Sequence, residues 1–139
     1  MRRVLGSLAL LPILLMAIAP AALAARPTTG FTGTWVGVDP LDGSNLGADI
    51  IGATTTQIMY TDDDATSACE GASTATFTSF LTGKVDGNEM QTTMRMAKCG
   101  TQPLPFHGLQ ITWWFDAGPT ASAADDVLTN SFGEEYSRD

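Results

Sequence analysis

Beyond residue 25 the chain alternates. Short runs in which every second residue is apolar recur along it, each ended by Gly, Asp, Asn or Pro, and no apolar stripe repeats at helical spacing. Successive side chains on a strand point to opposite faces, so runs of this kind make half-buried β-strands. Eight are expected, over residues 31–38, 46–51, 55–61, 74–82, 89–98, 107–115, 127–132 and 134–138. Turn chemistry separates them: Asp39-Pro40-Leu41-Asp42-Gly43-Ser44-Asn45, Asp62-Asp63-Asp64, Asp86-Gly87 and Gly133. Residues sharing a face include Gly33 with Trp35, Ile58 with Tyr60, and Phe77 with Ser79 and Leu81. Met90, Met94 and Met96 share another, as do Leu109, Ile111, Trp113 and Phe115. Sequential strands on short loops predict an all-β, antiparallel up-and-down meander. Closure into a barrel removes its exposed edges. Eight strands leave an interior that side chains fill, or that holds one small ligand. A two-sheet sandwich is the alternative.

The first residues belong to a different category. Arg2 and Arg3 precede an apolar run from Val4 to Ala19, and Ala22-Leu23-Ala24 supplies the small-x-small pattern of signal cleavage. Pro12 and Pro20 would interrupt a membrane helix. The expected organisation is a signal helix over 1–24 that is cleaved off, a flexible arm over 25–30 and one β-domain over 31–139. The protein is then exported, to the periplasm or the medium, and has no membrane attachment after cleavage. The mature chain carries five basic residues against fifteen acids, a net charge of −10. Such a chain repels phosphate backbones and shows no basic patch, which argues against nucleic acid as a partner. Two cysteines remain, Cys69 and Cys99. In an exported chain they are expected to form a disulfide, a metal or redox pair being the alternative. The cross-link would contribute roughly 3.5 kcal/mol on the chain-entropy model.

The first strand reads Phe31-Thr32-Gly33-Thr34-Trp35. This resembles the opening Gly-x-Trp of the calycins, the lipocalin and avidin group of barrels. In that group the Trp packs at one end of the barrel beneath a basic residue from the last strand. The resemblance implies that Gly33, Trp35 and Arg138 form this structural set. An Arg over an indole is also favourable in its own right. The avidin biotin-site residues have no positional match in this chain, which also lacks the C-terminal helix of typical lipocalins. A wider set of elements is similar to small secreted bacterial proteins: Asp42-Gly43-Ser44, Tyr60-Thr61-Asp62-Asp63-Asp64-Ala65, the two cysteines, and Leu128-Thr129-Asn130-Ser131-Phe132-Gly133. That similarity implies a self-contained exported domain and no particular activity.

No catalytic constellation appears. His107 is the one histidine, and no Gly-x-Ser-x-Gly elbow accompanies it. The acidic runs lack the Asp-x-Asp-x-Asp-Gly spacing of a calcium loop and read as solvated turns. No cofactor motif is present, and neither a metal site nor a catalytic residue is expected. Asp49 and Arg95 interrupt otherwise uncharged strands; facing inward they would have to pair and could orient a ligand's polar group. Facing outward they are ordinary surface charges. Trp113 and Trp114 are adjacent, so one faces the core and the other the outside, where Trp114 could contact a partner. Trp35, Met94 and Trp113 are the candidates for lining an interior ligand site, methionine being adaptable packing. The leading expectation is therefore an exported, non-catalytic binding module with a small apolar ligand. The alternative is a protein-interaction module such as a small-barrel protease inhibitor.

Overall fold

The structure is a computed structural model and describes residues 30–65, 68–69, 76–120 and 122–139. Among the described residues nine strands form one antiparallel sheet. They are β1 (Gly33–Val38), β2 (Asn45–Ile51), β3 (Thr55–Asp62), β4 (Phe77–Asp86), β5 (Glu89–Cys99), β6 (Gln102–Leu104), β7 (Gln110–Asp116), β8 (Val127–Asn130) and β9 (Glu135–Arg138). The order is β4-β3-β2-β1-β9-β8-β7-β5-β6, and a further β4–β5 pairing closes it. Eight strands therefore make a barrel, and β6 is a short flap hydrogen-bonded to the far end of β5. The sandwich alternative is not what forms. The signal helix expected over 1–24 lies outside the described residues, as does the 25–30 arm except for Gly30.

Strand alternation governs the packing. In β4, Phe77, Ser79, Leu81 and Gly83 all point inward and are buried. Gly83 has to be glycine, because a Cβ there would press on the Thr92 side chain and the Gln91 carbonyl of β5. The barrel is filled rather than hollow through its middle. Trp113 and Tyr136 pack as tilted rings with centroids 5.6 Å apart, and both are almost wholly buried, as are Ile58, Leu81, Met90 and Leu128. The Trp113 Nε1–H donates to Thr92 Oγ1 at 3.2 Å, and that hydroxyl donates on to the Ile111 carbonyl. The indole's polar edge is thus satisfied inside the core, as burial requires.

Two departures from simple alternation matter. Between Leu81↔Met94 and Phe80↔Met96 the β4–β5 register slips by one residue, leaving Arg95 unpaired in a bulge. A bulge inverts the phase of everything beyond it. Met90 and Met94 are therefore inside, whereas Met96, expected to share their face, is exposed and Ala97 is buried instead. The second departure is at 107–109. Gly108 takes a φ of 79°, and β7 starts at Gln110 rather than at His107. Leu109 consequently lies outside the strand and half-exposed, although Ile111 and Trp113 are buried as their phase predicts.

Cys69 and Cys99 form a disulfide with Cα atoms 5.7 Å apart. It ties the β3–β4 connection to the end of β5.

Candidate functional site

Antiparallel order sorts the connections between two ends of the barrel. One end is plugged. Trp35, 0% exposed, packs edge-on against Phe115, which packs in turn on Phe31, and its Nε1–H donates to the Phe31 carbonyl at 2.8 Å. Arg138 comes from the last strand and lies over the indole, its guanidinium carbon 4.2 Å from the ring centroid. Nη1 donates to the Thr32 carbonyl at 2.7 Å, and Nη2 to the Gly30 carbonyl at 2.9 Å and to Asp126 Oδ2 at 3.2 Å. Asp126 is itself buried, so the end holds a paired cation and anion. Gly33 has a φ of 140°, and a Cβ on it would collide with Arg138 Nη1. Its absence is what lets the guanidinium lie flat.

The opposite end is open. There the β1–β2 and β8–β9 connections, the 105–109 segment and Ala68 line a recess of about 400 Å³. Its rim is apolar and solvent-exposed: Leu41 is 92% exposed and Phe132 56%, with Phe106 and Leu109 also half-exposed. Its walls are Tyr60, Phe77, Met94 and Ile111. A volume of this order suits a small organic molecule.

The floor is polar. Glu134, 7% exposed, is held in the β8–β9 turn by Asn130. The Asn130 side-chain carbonyl accepts from the N–H groups of Phe132 (3.0 Å) and Glu134 (3.3 Å), while its Nδ2 donates to Glu134 Oε2 at 2.6 Å. Gly133 at φ 84° completes the turn. The Tyr60 hydroxyl donates to Glu134 Oε1 at 3.1 Å, and the Tyr136 hydroxyl donates to Oε2. Burial first, and then the adjacent Glu134 carboxylate, push both phenol groups far above their ordinary value of 10.0. Ser79, the cross-strand partner of Tyr60, is 1% exposed, and its Oγ has no hydrogen-bond partner. A buried hydroxyl left unsatisfied is uncommon, because desolvation without a partner costs about 1–3 kcal/mol.

The residues expected from sequence distribute unevenly. Met94 lines the recess. Trp35 and Trp113 do not: Trp35 plugs the far end under Arg138, and Trp113 fills the middle against Tyr136. Asp49 and Arg95 are not pocket residues either. Both point outward into solvent, Arg95 because the bulge carries it there, with its Nε donating to Thr82 Oγ1 at 2.8 Å. Trp114 lies on the outer face, 39% exposed, in a groove of about 600 Å³ with Asn88, Thr129 and Glu135. His107 is on the exposed 105–109 segment.

The acidic turns have structural work. Asp39 and Asp42 accept from the N–H groups of Leu41 and Ser44, and Asp62 from that of Asp64. Asp63 takes both the backbone and side-chain N–H groups of Asn45, which hold its carboxyl below the usual range. Among the described residues no group of His, Cys, Asp and Glu is arranged to hold a metal.

Glu134, Tyr60 and Ser79 are not among the site residues expected from the sequence. A signal did exist: Glu134, Tyr136 and Arg138 alternate, so an inward Arg138 already places Glu134 inward. No family model matches the chain, and comparison with curated proteins and with solved structures finds no match.

Proposed function

We propose that this chain is an exported, non-catalytic binding module that takes a small, largely apolar ligand in the open end of its barrel. The observation that carries the reading is the recess itself. Exposed Leu41, Phe106, Leu109 and Phe132 ring a concave site whose floor presents a few convergent polar groups. Isolated exposed apolar residues need no explanation, but four around one concavity do. The filled middle restricts a ligand to the mouth. Export is supported by the first 24 residues together with the disulfide, which persists outside the reducing cytosol. A calycin-like relationship is supported by Gly33, Trp35 and Arg138 standing together at the plugged end. It would put the ligand where such barrels have their mouths.

Native mass spectrometry of the protein purified from its own source, followed by a denaturing mass, tests the reading. The expected result is a small adduct that is lost on denaturation. A bare mass, with no small molecule found to bind, would overturn it. The same rim favours one second reading, a docking surface for another protein. A stoichiometric complex with a secreted protein, abolished by Leu41→Asp, would establish that instead.

A further inference from the structure

The open end is acidic as well as apolar. Among the described residues its charged lining is Glu134, Asp62 and Asp39, with no lysine or arginine. Glu134 and Asp62 are each only 7% exposed. The three side chains that hydrogen-bond the Glu134 carboxylate, Tyr60, Asn130 and Tyr136, are all neutral. Among the described residues neither buried acid meets a cation, whereas Asp126 at the plugged end meets Arg138. A buried carboxylate without a counter-ion is costly, and hydrogen bonds from neutral donors offset only part of that cost. Across the recess from this acid, on β4, stands an independent gap in the bonding, the Ser79 hydroxyl, which is buried and unpartnered. Aromatic rings of Tyr60, Phe77, Phe106 and Phe132 make up much of the remaining surface. Ring faces attract cations, most strongly where water is excluded.

These features share one complement. We propose that the recess binds a protonated organic amine carrying an apolar body. The ammonium sits toward Glu134 and Ser79, whose oxygens accept its N–H groups, and the apolar body lies between Phe106, Leu109 and Phe132. This rests on the binding-module reading above and adds the sign of the ligand's charge. An anionic amphiphile such as a fatty acid is excluded by like-charge repulsion from the same carboxylates.

Calorimetric titration of the full mature protein, disulfide intact, with three matched probes decides the matter: 1-naphthylmethylamine, 1-naphthalenemethanol and 1-naphthoic acid. Near neutral pH and at low salt the amine is expected to bind about tenfold more tightly than the alcohol, with the acid weakest. Glu134→Gln removes that preference and leaves alcohol binding within about twofold. Ser79→Ala lowers amine binding about fivefold, the loss of one hydrogen bond. Equal binding of amine and alcohol by the wild-type protein overturns the charge assignment while leaving the recess a ligand site. A preference that survives Glu134→Gln overturns it too. Failure of all three probes to bind overturns the binding-module reading itself. The wild-type ranking stands alone if a variant fails to fold.

Discussion

At one end of the barrel a buried charge has its partner; at the other it does not. Arg138 lies over Trp35, donates to two backbone carbonyls and pairs with Asp126, and the Phe31 and Phe115 rings complete a plug. Glu134 is buried to a similar degree, but only neutral donors reach it, and exposed Leu41 and Phe132 stand around it. The same strands supply both ends. The last strand alone contributes Arg138 to the plug and, through the turn that precedes it, Glu134 to the recess. At the plugged end the buried cation and anion meet each other, although the Arg138 Nε itself has no hydrogen-bond partner. At the open end Glu134 meets no cation, and the recess beside it is where the proposed ligand would sit. Natural chains tend to leave local rules unsatisfied at functional sites, and the asymmetry here follows that tendency.

Substitutions should separate the two ends by their effect on stability. The largest loss is expected from Trp35→Ala, about 4 kcal/mol, because a wholly buried indole leaves a cavity that the surrounding sheet cannot collapse into. Arg138→Ala follows at about 3 kcal/mol, since it strips the guanidinium from a buried Asp126. Chemical denaturation measures both, and a loss under about 1 kcal/mol for either would mean that the plug is not what closes the barrel.

Alkali should reveal the middle and the open end together. The chain has two tyrosines, Tyr60 and Tyr136, and both phenols are raised. The unfolded chain releases their protons near pH 10, while the folded chain keeps them. Stability is therefore intact below that value and falls above it, by up to about 1.4 kcal/mol per pH unit for each tyrosine. Near-ultraviolet absorbance should show no phenolate until the protein unfolds. Phenolate appearing in the folded protein near pH 10 would show that the hydroxyls are not held against Glu134. The smallest effect on stability is expected at the rim. Phe132→Ala should change it by no more than about 0.5 kcal/mol, as for other exposed positions. It should nonetheless weaken binding of the naphthyl amine about fivefold. A stability loss as large as that at Trp35 would make Phe132 core, and the contrast between the ends would disappear.

The barrel itself was largely legible in the residues. Alternation is a local signal, and turn residues such as Gly87 and Gly133 punctuate it, so every strand that completes the barrel was placed to within a few residues. The short β6 escaped because Pro103 sits inside it and Pro105 just after it. The bulge at Arg95 escaped because one extra residue leaves no mark in composition, yet it reverses Met96 and sets Arg95 outside. The plug was readable because Gly33, Trp35 and Arg138 resemble a known arrangement. The recess was not, because its parts come from four separate connections that only closure of the barrel brings together. Asp49 and Arg95 stood out in the sequence as charges among uncharged neighbours, which is how surface residues on a half-buried strand also look. Glu134 did not stand out, being one acid beside another.

The central claim is that the open end binds what the plugged end excludes. It is tested most directly by mapping backbone amide shifts of the isotope-labelled mature protein as 1-naphthylmethylamine is added. The account predicts that the shifts cluster at Tyr60, Ser79, Met94, Phe132 and Glu134, with Gly33, Trp35 and Arg138 unmoved. Shifts centred on the plug or on the outer groove at Trp114 would contradict it.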